Sequence, residues 1–273
     1  MKTRILSAAV GIPLLLAVFL LLPEWCLGIL IGGISGICAW ELLHCLDPEQ
    51  PPRISAYAAV CAFCICFLQS FYGLELFLVP ALFALFALCF AELMLSFSKE
   101  PRIPFSVVAN ALFAGVVLPL LFSGFVRLGR MECGRYCALL PLVVSFSSDA
   151  GAYFVGVTLG KHKLTPHISP NKTLEGSVGG FVCAIALTLV YGLILKALGC
   201  TVNLPVLGVC GFLGSLASQL GDLSFSAVKR LAGVKDYGRL IPGHGGMMDR
   251  CDSLIWAAAL LALLLRWVPV ITT

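Results

Sequence analysis

Leu204-Pro-Val-Leu-Gly208-Val-Cys210-Gly211-Phe-Leu-Gly214-Ser-Leu-Ala-Ser-Gln219-Leu-Gly221-Asp222-Leu-Ser-Phe225 holds a single charged side chain, Asp222, in 22 residues. As a helix such a run crosses a hydrocarbon layer ~30 Å thick, because ~20 residues at ~1.5 Å each suffice. Gly208, Gly211 and Gly214 recur every three residues, and a stripe of small residues lets two helices approach closely. A lone carboxylate inside an apolar run is costly unless it faces a cavity and a partner. The stretch therefore reads as a membrane-spanning helix that carries a polar site.

Working outward, eight further apolar runs appear, at about 5–22, 24–44, 55–71, 74–96, 105–126, 138–159, 177–199 and 251–270. With 60% hydrophobic and 12% charged residues and a mean hydropathy of +1.01, the composition excludes an ordinary soluble domain. The short alternating strands of a barrel are absent, and lipid offers no partner to open backbone groups, so helices are expected. The predicted fold is all-α, a polytopic membrane bundle of about nine transmembrane helices. Its first region, 1–126, is read as N-terminal spans serving lipid access or a dimer surface. The second, 127–273, is read as the catalytic region with cytoplasmic loops. The N-terminal Met1-Lys2-Thr3-Arg4 and apolar run resemble a signal peptide, but no small-x-small cleavage site follows, so the run is read as a retained first helix.

Of the 18 Lys and Arg residues, 13 fall on one side of a nine-span chain whose N-terminus is inside. That asymmetry places the loops near 160–175 and 226–250 in the cytoplasm, with Arg127–Arg135 as the discordant segment. Most of the 13 cysteines lie in apolar runs, where they behave as small soft hydrophobes. Cys61-x-x-Cys64-x-Cys66 has metal-like spacing but no matching second pair. Glu41 and Glu92 stand near the ends of apolar runs and read as snorkelling, interfacial carboxylates. Gly28, Gly32 and Gly36, four apart, suit close helix packing.

Three polar blocks carry the chemistry. The first is Ser147-Ser148-Asp149-Ala-Gly-Ala-Tyr153, inside a span. The second runs from Gly160 to Gly176; there Ser169-Pro170 reads as a helix start, Ser at the N-cap and Pro in the first position. Free N–H groups at such a start, beside Lys172, suit phosphate. Gly156-x-x-x-Gly160-Lys161 is one residue short of a phosphate loop, and His162 stands where Ser or Thr is required, so that reading is rejected.

The third block runs from Gln219 to Asp252 and is the densest in charge. Eight charged side chains besides His244 lie between Ser226 and Asp252: Lys229, Arg230, Lys235, Asp236, Arg239, Asp249, Arg250 and Asp252. Asp222, Ser226 and Lys229 share one helical face, and Asp249, Asp252 and Ser253 share another. Carboxylates beside phosphates form the usual oxygen shell of Mg²⁺. Interhelical ion pairs, such as Asp249 with Lys229, are the bland alternative. His244, in a Gly-rich turn, is either a ligand or base or the cap of a backbone group.

At these residues the chain resembles the phosphatidate cytidylyltransferase (CDP-diacylglycerol synthase) family. The signature Ser226-x-x-Lys229-Arg230, Lys235-Asp236, Pro242-Gly243-His244-Gly245-Gly246-x-x-Asp249-Arg250-x-Asp252 is matched without a departure at a polar position. Asp149–Tyr153 and Ser169–Gly176 are similar to family segments too, so the likeness covers about 145–255. It implies transfer of a cytidylyl group from CTP to phosphatidate, giving CDP-diacylglycerol and pyrophosphate, dependent on Mg²⁺ with room for a second cation. The setting it implies is a membrane, read as the bacterial inner membrane, with the site facing the cytoplasm. The implied catalytic set is Asp222, Lys229, Asp249, Asp252 and His244, with Asp222 and Asp249 as metal ligands. Lys172, Ser169, Ser226, Arg230, Lys235, Asp236, Arg250 and Asp149 are the implied substrate contacts. CTP, phosphatidate and membrane lipid are the expected partners, a homodimer is compatible, and nothing points to nucleic acid. Two alternatives stay open: a CTP-dependent polyprenol or phytol kinase, and an ion-coupled transporter exploiting Asp149 and Asp222.

Overall fold

The computed structural model describes residues 13, 15–98, 102–240, 245–268 and 270–272. They form mostly helices: α1 Glu24–Leu46, α2 Pro52–Leu68, α3 Leu74–Ser96, α4 Phe105–Leu112, α5 Leu118–Gly129, α6 Gly134–Leu159, α7 Leu174–Ala197, α8 Leu204–Leu231 and α9 Met248–Trp267. A π-helical turn, Phe113–Val117, joins α4 to α5. Two short antiparallel ladders complete the described chain: β1 Lys163–Thr165 with β2 Ser169–Thr173, and β3 Thr201–Val202 with β4 Ile271–Thr272.

Among the described residues, six helices are long and apolar enough to cross a membrane, against the nine spans expected. They are Glu24–Leu46, Leu76–Ser96, Phe105–Gly129, Gly134–Leu159, Leu174–Ala197 and Leu204–Leu231. The run at 55–71 became α2, which has only 17 residues. The run at 251–270 became α9, whose 20 residues include the charged Asp249, Arg250, Asp252 and Arg266. Half of the run at 5–22 lies outside the described residues.

The chain divides into two compact units. The first takes in Met1–Val126 and Val234–Asp249. Its α1 and α2 pack along the expected glycine stripe. A Cβ on Gly32 would stand 3.0 Å from the Phe63 carbonyl oxygen, and one on Gly36 would stand 2.9 Å from that of Ala59. Pro52 suits the first turn of α2, where its missing N–H has no intrahelical partner to lose. Leu76, Val79, Phe83, Met94 and Leu95 of α3 are exposed, a face suited to lipid. The snorkelling reading of Glu41 and Glu92 is corrected here: both are buried. Glu92 accepts from the Tyr57 hydroxyl at 3.3 Å and pairs with Arg53 at 3.5 Å. Burial without such partners would be prohibitive for a carboxylate.

The second unit takes in Arg127–Gly233 and Arg250–Thr273. Its helices are drawn together by missing side chains. A Cβ on Gly176 would lie 2.7 Å from the Ala152 carbonyl oxygen, fixing α7 on α6. One on Gly211 would lie 3.1 Å from Ile185 Cα, and one on Gly221 would lie 2.6 Å from the Asp252 carbonyl oxygen. Thus α8 sits between α7 and α9, and Gly221 brings the backbone beside Asp222 directly against α9.

The helix start expected at Ser169-Pro170 is a strand instead. Residues 169–173 pair with β1 in the register Lys163↔Thr173 and Thr165↔Ser169, which holds their backbone extended. The helix begins at Leu174, capped by Thr173, whose hydroxyl accepts from the Gly176 N–H at 3.1 Å. Glu175 closes the hairpin base: it accepts from the Lys161 N–H at 3.1 Å and the His162 N–H at 3.2 Å, and meets His162 Nδ1 at 2.6 Å.

Candidate active site

A cavity of about 350 Å³ opens in the second unit where α6, β2, α7 and α8 meet. Asp149 and Tyr153 reach it from α6, Ser169 and Lys172 from β2, Ser177 from α7, and Gln219 and Asp222 from α8. The strand, not a helix start, is what presents Ser169 and Lys172 here. Alternation along the extended chain puts Ser169, Asn171 and Thr173 on one side, all three lining the cavity, while Lys172 reaches it from outside that alternation.

The floor is a polar network that sequence reasoning did not assign. The Gln219 amide nitrogen lies 3.2 Å from the Ser177 carbonyl oxygen and 3.4 Å from the hydroxyls of both Ser148 and Ser215. Its carbonyl oxygen accepts from the Ser177 hydroxyl, and Ser148 and Ser215 share a hydrogen bond of 2.7 Å. Gly180 makes room for that amide, since a Cβ there would stand 3.0 Å from it. A polar Gln three residues before Asp222 in an apolar run was the available signal. A satisfied buried network of this kind fixes side-chain positions, because any member left unpaired would be costly.

Above the floor lie the charges. Lys172 forms an ion pair with Asp222, each side chain 29% exposed. Ser226, one turn along α8, donates to the other Asp222 oxygen at 3.1 Å. Asp149 interacts electrostatically with Asp222 and Lys172. The buried Asp252 interacts with Asp222, Asp149 and Lys229. Three carboxylates and two lysines expected at the site therefore share one electrostatic cluster. Arg230 donates through Nε to the Ile168 carbonyl oxygen at 3.2 Å, tying the end of α8 to the hairpin turn.

The rest of the expected set is in the first unit, apart from Arg250, which is exposed on α9. Lys235 and Asp236 are exposed in the segment after α8. Asp249, in the first turn of α9, accepts from the Tyr237 N–H at 2.9 Å and the Gly246 N–H at 3.1 Å through one oxygen. His244 lies outside the described residues. Beneath this segment is Glu41, whose two oxygens accept from the Met247 and Met248 N–H groups at 3.0 and 2.9 Å. Those N–H groups stand at the start of α9, where a helix has no carbonyl of its own to offer and favours negative charge. A Cβ on Gly246 would lie 2.7 Å from Glu41 Oε2, so the missing side chain there is what lets the carboxylate reach the backbone.

Among the described residues, no group of three His, Cys, Asp or Glu side chains is placed to enclose a metal ion. That includes Cys61, Cys64 and Cys66, and no cysteine there forms a disulfide. Asp149 and Asp222, both lining one cavity, nevertheless suit a hard cation of the Mg²⁺ type. Such an ion uses one or two carboxylates and takes further oxygens from phosphate and water.

The description "Cytidylyltransferase family" belongs to the sequence family that matches residues 2–268. The chain belongs to the cytidylyltransferase family. Within that family it is similar to the phosphatidate cytidylyltransferase of Staphylococcus epidermidis RP62A, 35% identical over 97% of this chain and 99% of that protein. The Bacillus subtilis phosphatidate cytidylyltransferase is 40% identical over 59% of each chain. That of Staphylococcus saprophyticus is 38% identical over 63% of this chain and 65% of its own.

Proposed function

We infer that this cytidylyltransferase acts on CTP and phosphatidate. A phosphatidate oxygen forms a bond to the α-phosphorus of CTP, the bond from that phosphorus to the β-phosphate bridge breaks, and pyrophosphate leaves with the bond pair. CDP-diacylglycerol is the product, a phospholipid precursor. The observation that carries this reading is the near full-length likeness to a protein named phosphatidate cytidylyltransferase. Family membership sets aside the lipid-kinase and transporter alternatives.

The chain's residues fit the chemistry. The phosphatidate phosphate is already an anionic nucleophile, so positioning and charge stabilisation carry the reaction rather than a strong base. Lys172 is held at the cavity by Asp222 and is available to phosphate oxygens when a triphosphate enters. Lys229, Arg230, Lys235 and Arg250 are proposed as further phosphate contacts, with Ser169, Ser226, Asp149 and Asp236 orienting substrate. Asp222 and Asp249 are proposed to hold Mg²⁺, with Asp149 able to serve the same ion from the cavity it lines with Asp222 and a second cation compatible, and Asp252 and His244 to complete the catalytic set. A bound Mg²⁺ would neutralise charge building on the departing pyrophosphate. Asp252, buried beside Asp222, offers a further carboxylate to such a cation.

The proposed setting is a bacterial inner membrane, about nine spans, and a site facing the cytoplasm. The basic asymmetry of the loops and the bacterial relatives support it. A homodimer is compatible with the apolar faces left outward. The test is purified protein with phosphatidate, Mg²⁺ and CTP labelled at the α- or the γ-phosphate. Label from the α-phosphate appears in lipid and label from the γ-phosphate in pyrophosphate. Lipid labelled from the γ-phosphate would mean a kinase instead.

A further inference from the structure

The first unit contains a second and larger cavity, about 670 Å³, walled by α1, α2 and residues 237–240. Its body is apolar: Gly33, Ile37, Val60 and Phe63 line it. Its other end is not, since Trp40, His44 and Arg239 gather there. From Gly33 to His44 is eleven residues of helix, so the cavity runs about 16 Å along α1. Glu41 also borders it, but both Glu41 oxygens are engaged by the Met247 and Met248 N–H groups. Among the described residues Arg239 forms no ion pair. The cavity thus has an apolar trough and an aromatic-edged mouth that carries the Arg239 guanidinium, with the Glu41 carboxylate turned to the backbone of Met247 and Met248.

We propose that this cavity binds one anionic glycerophospholipid, an acyl chain lying along α1 and α2 and the phosphate at Arg239 and His44. Charge complementarity selects that occupant. A partner helix would satisfy the trough but leave the guanidinium facing apolar surface, a lipid without phosphate would gain nothing from it, and a zwitterionic lipid would bring its own cation to compete for the phosphate. Arg offers a planar fork of donors matched to phosphate oxygens, and Trp favours the level of lipid headgroups. The wall that carries Arg239 is the segment clamped by Asp249 at Tyr237 and Gly246. Lipid in the cavity is therefore read by the same signature segment. Naming that lipid as phosphatidate rests on the function proposed above; its anionic diacyl chemistry does not.

The glycines of α1 make a clean test. Gly32 and Gly36 press on α2, but no heavy atom lies within 4 Å of a Cβ placed on Gly33. Gly33→Leu fills the trough without disturbing the helix pair. The full chain in phosphatidylcholine discs is photolabelled with acyl-diazirine phosphatidate, phosphatidylglycerol or phosphatidylcholine, and the labelled peptides are mapped. We expect the anionic probes to mark α1 and α2 around Gly33 and Val60, and Gly33→Leu to remove that label with an unchanged Tm. Arg239→Gln should abolish the preference over phosphatidylcholine. In the turnover assay Gly33→Leu should raise KM for phosphatidate about tenfold and leave KM for CTP alone. Equal labelling by all three probes, or labelling that ignores Gly33→Leu, means lipid merely coating the helices and overturns the proposal. Label from both anionic probes supports the site; label from phosphatidylglycerol equal in extent to that from phosphatidate would overturn only the naming of the occupant as phosphatidate. CDP-lipid formation with an unlabelled cavity overturns the cavity alone. A labelled cavity without CDP-lipid overturns the reaction instead.

Discussion

Glu41 and Asp222 are both carboxylates in apolar helices, and they are held in opposite ways. Glu41 is buried and takes two backbone N–H groups, which cannot move without unwinding the start of α9. Asp222 is 29% exposed and takes a lysine side chain and a serine hydroxyl, both on rotatable bonds. A carboxylate tied to backbone shapes a segment, whereas one tied to an exchangeable cation can trade that cation for an incoming ligand. The identity of the partner, more than burial, separates the architectural acid from the chemical one.

The largest effect should come from Asp222→Asn, which keeps size and removes charge. Turnover should fall at least about a thousandfold while Tm stays near wild type, because the lost pair with Lys172 is partly solvated. Wild-type turnover at limiting Mg²⁺ would move Asp222 to the architectural class. Next is Lys172→Met. Loss of a positive contact to a charged transition state should cost about a hundredfold in kcat/KM, with little change in Tm. A variant that merely unfolds more readily would show Lys172 to be a structural partner.

Glu41→Gln should behave the other way. The glutamine carbonyl can serve one of the two N–H groups, but its NH₂ confronts the other. Stranding one buried donor costs about 1–3 kcal/mol, read as a lower Tm with activity falling in step. Full stability with lost turnover would place Glu41 in the chemistry. The smallest effect is expected from Lys163→Met at the exposed first residue of β1, which should alter kcat/KM by less than about twofold. A loss equal to that of Lys172→Met would mean that general surface charge, not the cavity, sets the rate.

The hydrophobic runs were legible because each is a local property of the chain, and eight of them coincide with helices α1 to α9 within a few residues. The i, i+4 relation of Asp222 to Ser226 was legible for the same reason, and the 3.1 Å hydrogen bond follows from it. Long-range partners were not. Glu41 looked interfacial because the N–H groups it serves lie more than 200 residues away. Ser169-Pro170 carried sound helix-start chemistry, but pairing with β1 across a short turn outweighed it. Gln219 went unassigned because two of its partners, Ser148 and Ser177, come from α6 and α7, elements that a reading of α8 alone does not contain.

The most direct measurement is to map where CTP binds. A photoreactive CTP analogue is attached to the protein in the presence of Mg²⁺, with unlabelled CTP as competitor, and the modified peptides are identified. The label should fall on β2, Ser169–Thr173, or on α8 between Gln219 and Arg230, and Asp222→Asn should weaken it. Competable label confined to α1–α3, or label undiminished by Asp222→Asn, would contradict the assignment of the Asp222–Lys172 cavity as the site of cytidylyl transfer.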